Sequence, residues 1–321
     1  MNPLEIDLAG IRLRNPLILA SGILGSTAGA LLRAARAGAG AVTTKTITPE
    51  PRAGNPNPVV VELGFGLLNS MGLPNPGVEA FVDELRRYRS SSDTPVIASV
   101  WGETQEETAY VAARLERAGA DAIEVNISCP NVDGAARAVE DLSYLRSLIS
   151  AVKEETSVQL FVKLPPLNWG VVNLAKEAVN AGADALVATN TLRAMIIDFE
   201  ARSPVLSNVF GGLSGPALKP VAVRVVYELY EEFQGEVPIV GVGGVQDWRD
   251  AVEFLLAGAS AVEIGTAIAS KGIVIFREVT EGVRSYLNRV GLDSVSQLVR
   301  GAHWRASRPT QSSISRGSPN E

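Results

Sequence analysis

Eight short apolar runs recur along the chain, and each is followed by a polar turn and an amphipathic stretch with helical spacing. The runs are Pro16 to Ala20, Ala41 to Thr44, Pro95 to Val100, Ala122 to Ile127, Val158 to Leu164, Ala185 to Thr189, Pro238 to Val242 and Ala261 to Ile264. They are rich in Val and Ile and carry few charges, the pattern of parallel strands buried on both faces. Apolar positions at intervals of three and four predict helices over about 28–38, 78–90, 104–118, 139–155, 170–181, 217–234, 247–257 and 272–289. Four helices end alike, at Ala37-Gly38-Ala39-Gly40, Ala118-Gly119-Ala120-Asp121, Ala181-Gly182-Ala183-Asp184 and Ala257-Gly258-Ala259-Ser260. Each places a glycine just past the helix, where a left-handed cap is needed, and a strand follows at once.

Eight such units without a break in composition predict a closed (β/α)8 barrel, an α/β fold of the TIM-barrel kind, as one domain over 1–305. An open doubly wound sheet is the competing topology, but no Gly-rich fingerprint follows the first strand. Leu4 to Leu13 alternates and turns at Ala9-Gly10, which predicts a β-hairpin on the barrel floor. Two βα connections are long, Thr46 to Pro76 and Asn190 to Pro216. Both follow strands, so both belong to the C-terminal mouth where barrels build their sites. The Ser/Pro/Arg-rich stretch 306–321 is expected to be a disordered tail.

Composition narrows the function. The formal net charge is −6 and no run of Lys and Arg forms a basic stripe, which argues against nucleic-acid binding. No apolar run approaches membrane-spanning length, and the N-terminus lacks a signal-peptide layout, so the expected location is the cytoplasm. One cysteine, Cys129, and one histidine, His303, leave too few ligands for a structural zinc and no Ser-His-Asp triad. Acid–base chemistry falls to Cys, Lys, Asp, Glu or Tyr.

The strand ends collect polar groups. Ser21 follows the first strand, Lys45 and Thr46 the second, Ser99 closes the third, and Asn126 leads into Ser128-Cys129-Pro130-Asn131 after the fourth. Lys163 closes the fifth strand and Thr189, Asn190 and Thr191 the sixth; Gly243-Gly244 and Gly265-Thr266 follow the last two. A lysine ending an apolar strand either faces an anion in the mouth or pairs with an acid such as Glu62 or Glu124. The glycine pairs suit a phosphate, since loops after strands 7 and 8 form the common phosphate site of this fold, although glycine also serves to pack turns. Cys129 is open to two readings, a small buried hydrophobe or a reactive thiol. Asparagines at 69, 75, 126, 131 and 190 offer paired donors and acceptors to a ligand edged with C=O and N–H, and are good turn formers besides.

Three stretches together carry a resemblance: Asn126-Ile127-Ser128-Cys129-Pro130-Asn131, Asn69-Ser70-Met71-Gly72-Leu73-Pro74-Asn75 and Gly211-Gly212-Leu213-Ser214-Gly215-Pro216, joined by the two late glycine pairs. From about Leu4 to Tyr286 the chain resembles class 1 dihydroorotate dehydrogenases. The resemblance implies FMN over the barrel mouth, touched by Ser21, Lys45, Thr46, Ser99, Asn126, Lys163 and Thr189. It implies that Gly215, Gly243, Gly244, Gly265 and Thr266 hold the FMN phosphate. It implies a pyrimidine site from Lys45, Asn69, Ser70, Met71, Gly72, Leu73, Asn126, Asn131, Asn190 and Thr191, with Cys129 as base. A thiol at its reference pKa of about 8.5 is mostly protonated at neutral pH, so the rate is expected to rise with pH unless lysines stabilise the thiolate.

Ser99 stands where the family usually has Asn, and the segment after Asn131 is short before the next helix. Ser203 to Val223 resembles class 1B, in which an FAD and iron–sulfur subunit passes electrons to NAD; Asn69 to Asn75 is closer to the fumarate-using class 1A. The 1B likeness implies a homodimer core within a heterotetramer, and with one cysteine any iron–sulfur site belongs to the partner. The competing functions are a dihydropyrimidine dehydrogenase-like or dihydrouridine synthase-like flavin barrel, and a non-catalytic barrel that binds a phosphorylated ligand.

Overall fold

A computed structural model describes residues 2–127 and 133–303. Cys129, Asn131 and the stretch 306–321 lie outside the described residues. The strands, in chain order, are β1 (Ile6–Leu8), β2 (Ile11–Leu13), β3 (Leu17–Leu19), β4 (Ala41–Thr43), β5 (Val60–Leu63), β6 (Gly66–Asn69), β7 (Val96–Val100) and β8 (Ala122–Asn126). There follow β9 (Gln159–Leu164), β10 (Ala185–Ala188), β11 (Leu192–Ala194), β12 (Ile197–Asp198), β13 (Ser203–Pro204), β14 (Gly211–Ser214), β15 (Ile239–Val242) and β16 (Ala261–Ile264). The helices are α1 (Ala28–Arg36), α2 (Val78–Arg89), α3 (Gln105–Arg117), α4 (Asp133–Glu140), α5 (Leu142–Glu155), α6 (Val171–Asn180), α7 (Lys219–Phe233), α8 (Trp248–Leu256), α9 (Ala267–Lys271) and α10 (Ile275–Val290).

The eight apolar runs are the eight staves of a closed parallel barrel, in the order β3, β4, β7, β8, β9, β10, β15, β16 and back to β3. Nearly every residue in them is buried, because the ring covers their inner face and the helices their outer one. The hairpin forms as expected: Ile6 pairs with Leu13, and Ala9 and Gly10 make the turn with positive φ.

The repeated Ala-Gly-Ala-Asp turns show why they recur. After α3, Gly119 takes φ +108, and Asp121 Oδ2 then accepts from Val96 N at 2.8 Å and from Arg89 at 3.0 Å. After α6, Gly182 takes φ +111, and Asp184 Oδ2 accepts from Leu160 N at 2.7 Å and from Lys153 Nζ. One carboxylate thus satisfies a backbone donor near the start of the neighbouring strand and ties down a cation from the preceding helix.

Local chemistry adds detail to the expected elements. The single helix expected over 139–155 is two, because Asp141 caps α5 by accepting from Ser143 N and Tyr144 N. The helix expected over 272–289 forms as α10, and the short α9 precedes it, set apart where Gly272 takes φ +73. The two long connections are not irregular. They supply β5, β6, β11 and β14, which pair antiparallel in the order β11, β14, β6, β5 to form a small sheet at the mouth.

His303 serves the opposite end. Its ring stacks on Tyr227, with centroids 3.9 Å apart, and its Nε2 lies 2.9 Å from Ala257 O in the turn that enters β16. It takes no part in the mouth.

Candidate active site

The C-terminal ends of the staves and the small antiparallel sheet enclose one cavity of about 410 Å³, within the roughly 300–1,000 Å³ of cofactor and small-molecule sites. Strand ends bring Ser21, Lys45, Thr46, Asn126, Lys163, Thr189, Asn190 and Thr191 to its wall. Late glycine-bearing loops bring Gly215, Gly243, Gly244, Gly265 and Thr266, and the first long connection adds Asn69, Met71, Gly72 and Leu73. Residues up to 245 positions apart in sequence thus meet, from Ser21 to Thr266.

Two of the expected contacts stand back from the wall. Ser70 is fully buried and accepts from Asn55 Nδ2 at 3.0 Å, so its hydroxyl braces the loop. Ser99 is also fully buried, with its Oγ 3.0 Å from Thr46 Oγ1. It anchors, from behind, a chain of polar groups along the wall. Asn126 Nδ2 donates to Thr46 Oγ1 at 3.2 Å, Asn190 Nδ2 donates to Asn126 Oδ1 at 3.2 Å, and Thr191 N donates to Asn190 Oδ1 at 2.7 Å. The chain fixes which way each amide points, and hence which edge a ligand meets. Asn69 is held from the other side, its Nδ2 donating to Gly212 O at 3.1 Å across the β6–β14 pairing.

The glycine loops pack backbone on backbone. Gly244 has φ +79, and a Cβ there would lie 2.7 Å from Gly215 O and 3.0 Å from Lys219 N. Gly215 has φ +94 and would clash in turn with Gly66 Cα at 2.8 Å. These glycines pack the turns, and they also line the cavity.

Sequence reasoning did not single out Glu263, which also lines the cavity. The signal was present, a charge inside the apolar run Ala261-Val262-Glu263-Ile264, the same feature that singled out Lys163. Lys163 Nζ donates to Glu263 Oε2 at 2.9 Å and lies 3.6 Å from Glu124 Oε2. Burial opposes the ammonium's charge, but Glu124 and Glu263 together outweigh it and hold Lys163 raised to about 12. Burial pushes Glu263 up to about 7, with Lys163 opposing and the nearby Glu124 adding to the rise. Thr43 Oγ1 donates to the other oxygen of Glu263 at 3.3 Å.

A sequence model described as Dihydroorotate dehydrogenase matches residues 3–287. The chain belongs to the dihydroorotate dehydrogenase family. It is 48% identical over 297 residues to the "Dihydroorotate dehydrogenase B (NAD(+)), catalytic subunit" of Pyrococcus furiosus, covering 92% of this chain and 97% of that one. It is 45% identical over 302 residues to the protein of the same description from Methanosarcina mazei, covering 94% and 95%. Among solved structures it resembles the ligand-free DHODH of Eimeria tenella, with TM-score 0.84, 27% identity and coverage of 95% and 93%. The complex of that enzyme with ferulenol gives TM-score 0.83 at 27% identity, covering 95% and 89%.

Dihydroorotate dehydrogenases are flavin-dependent, and the cavity suits a flavin. Its bare glycine backbone at one side can accept a phosphate, a fixed cation stands at Lys163, and Val60, Leu67, Leu218 and Val242 give it apolar walls. Among the described residues no helix is long and apolar enough to cross a membrane.

Proposed function

We propose that this chain is the catalytic subunit of an NAD-linked dihydroorotate dehydrogenase that oxidises dihydroorotate to orotate in de novo pyrimidine (UMP) synthesis. The observation that carries the reading is the convergence, on one cavity, of Lys45, Lys163, the ordered Asn126–Asn190 amides and the glycine cradle.

FMN fits this donor set, and bound here it supplies the hydride acceptor. Gly215, Gly243, Gly244, Gly265 and Thr266 would hold its phosphate, with Ser21, Thr46 and Thr189 along its length. Lys163 offers a fixed positive charge where negative charge builds during the reaction. Lys45 would meet the substrate carboxylate. Asn69, Met71, Gly72, Leu73, Asn126, Asn131, Asn190 and Thr191 would hold the pyrimidine ring, whose alternating carbonyl and N–H edge needs partners of both kinds.

Dihydroorotate loses a proton from C5 and a hydride from C6. Cys129 follows Asn126 by three positions in the chain, and we assign it the C5 proton. Asn126, held between Thr46 and Asn190, fixes the end of the strand that leads to it.

The relatives described as catalytic subunits of an NAD(+) enzyme support a partner subunit. A chain with a single cysteine cannot ligate an iron–sulfur cluster by itself, so the partner would carry FAD and the cluster, around a homodimer of this chain in a heterotetramer. Purified alone, the chain should turn over dihydroorotate with an artificial electron acceptor, leave dihydrouracil untouched, and reduce NAD only after the partner is added. Turnover of dihydrouracil at a similar rate would move it to the dihydropyrimidine reductases.

A further inference from the structure

Barrel interiors of this kind are normally filled by layers of branched apolar side chains. Here the layer beneath the mouth holds three ionisable groups. Lys163 from β9 and Glu263 from β16 reach across the ring, and Glu124 from β8 joins them. Their side chains are 6%, 1% and 0% exposed, so water screens none of them. Lys163 and Glu263 border the cavity, while neither oxygen of Glu124 has a hydrogen-bond partner among the described residues. A buried carboxylate without hydrogen bonds is among the costliest groups a protein can hold if it is charged.

The charge count decides the state of the cluster. One ammonium and two carboxylates would leave a net −1 in a dry interior. One proton on the carboxyl pair makes the cluster neutral, and two carboxyls around one site commonly share a proton in this way. The upward push on Glu263 is in the same sense. The other staves facing the cluster, β3, β4, β7, β10 and β15, carry no ionisable residue in their strands. Lys45, just past β4 at the rim, is the next charge on the wall of the cavity, and Thr43 contributes a neutral donor.

We infer that Glu124 and Glu263 hold a single proton between them beneath Lys163, and that this proton sets the charge the cavity floor presents to its occupant. With the proton in place, the floor is neutral and a single carboxylate balances Lys163. Without it, the floor is net negative and repels an anion. A negative charge gained in the cavity therefore draws one proton from water onto the pair, and loss of that charge returns the proton to water. Glu124 and Glu263 are positioning residues, acting through Lys163. The consequence for a bound flavin rests on the function proposed above; the shared proton itself does not.

Two measurements on the full-length protein separate these. Infrared difference spectroscopy during a pH titration should reveal one buried, protonated carboxyl that is lost near neutrality, and the signal should vanish in both Glu124→Gln and Glu263→Gln. In protein carrying flavin, the midpoint potential should gain an extra proton-linked slope across neutrality, and each Gln variant should lack it. The two variants back each other, since the loss of one to misfolding leaves the other, and the wild-type infrared signal decides the proton alone. If the wild type shows no protonated buried carboxyl below neutrality, the inference is overturned. If the variants shift the potential by a constant amount at every pH, the coupling is overturned and the role is structural. Protein that shows the infrared signal but retains no flavin would sink the proposed function and leave the shared proton standing.

Discussion

The hydroxyls of Thr46 and Ser99 meet at 3.0 Å behind the cavity wall, on neighbouring staves joined just beyond by the Ile47–Val100 bridge. Ser99 is fully buried off the cavity wall, and its hydroxyl is engaged with Thr46. Its contribution to the site is therefore indirect, through the Thr46–Asn126–Asn190 chain.

Ser99→Ala removes one end of that chain. A lost buried hydrogen bond of this kind costs roughly 1 kcal/mol, and the loss should fall on ligand binding. We expect KM for dihydroorotate to rise about fivefold, with kcat changed by less than about twofold. Steady-state kinetics at fixed acceptor concentration checks the split; a fall in kcat alone would place Ser99 in the chemistry.

Cys129→Ala should lower turnover by about 100-fold or more, the usual worth of a positioned base, while flavin absorbance and orotate binding stay close to wild type. Stopped-flow reduction by dihydroorotate is the appropriate readout. Near-normal reduction would remove Cys129 from the mechanism.

Gly244→Ala tests the cradle. The new methyl meets Gly215 O at 2.7 Å on a backbone at φ +79, and a left-handed conformation alone costs a side chain about 1–2 kcal/mol. The variant should melt several degrees lower and purify with less flavin. Gly29→Ala, in helix α1 with open space around the added methyl, should retain its flavin in full. Equal flavin content in the two would argue against a cradle at Gly244.

Glu263 gives stability a pH dependence of known sign. Its folded-state value, pushed up to about 7, lies above the ordinary 4.5. The folded protein thus binds more protons than the unfolded chain between these values. The stabilisation is full below about 4.5 and lost as pH rises through about 7. The melting temperature of wild type minus that of Glu263→Gln should fall across this window, as thermal melts at a series of pH values will record. A difference that rises with pH would reverse the assignment.

The barrel was legible because each stave is a short apolar run and four of them follow a glycine-capped turn, both local signals. The sheet at the mouth was not. Its strands, such as Gly66–Asn69 and Gly211–Ser214, are only four residues long and glycine-bearing, and they pair across some 145 positions. Asp141 was a readable cap, but the apolar periodicity on either side of it masked the break. At the site, the strand-end rule found Lys163, Asn126 and the Thr46 and Asn190 that hold Asn126, and Glu124 was among the acids expected beside Lys163, but Glu263, which accepts from Lys163, was missed. Glu263 lies 100 positions from Lys163 and meets it only because the ring closes. Ser70 and Ser99 show the same limit from the other side: Ser70 sits between the wall residues Asn69 and Met71 and Ser99 closes a stave, yet each turns its hydroxyl to a neighbouring side chain instead.

The proposed function requires one cavity to seat a flavin and dihydroorotate within reach of each other. Anaerobic titration of the purified chain with dihydroorotate tests it most directly. The expected result is a yellow protein with about one FMN per chain, bleached by stoichiometric dihydroorotate with orotate released. A colourless protein that still folds, or a yellow one that dihydroorotate leaves oxidised, would contradict it.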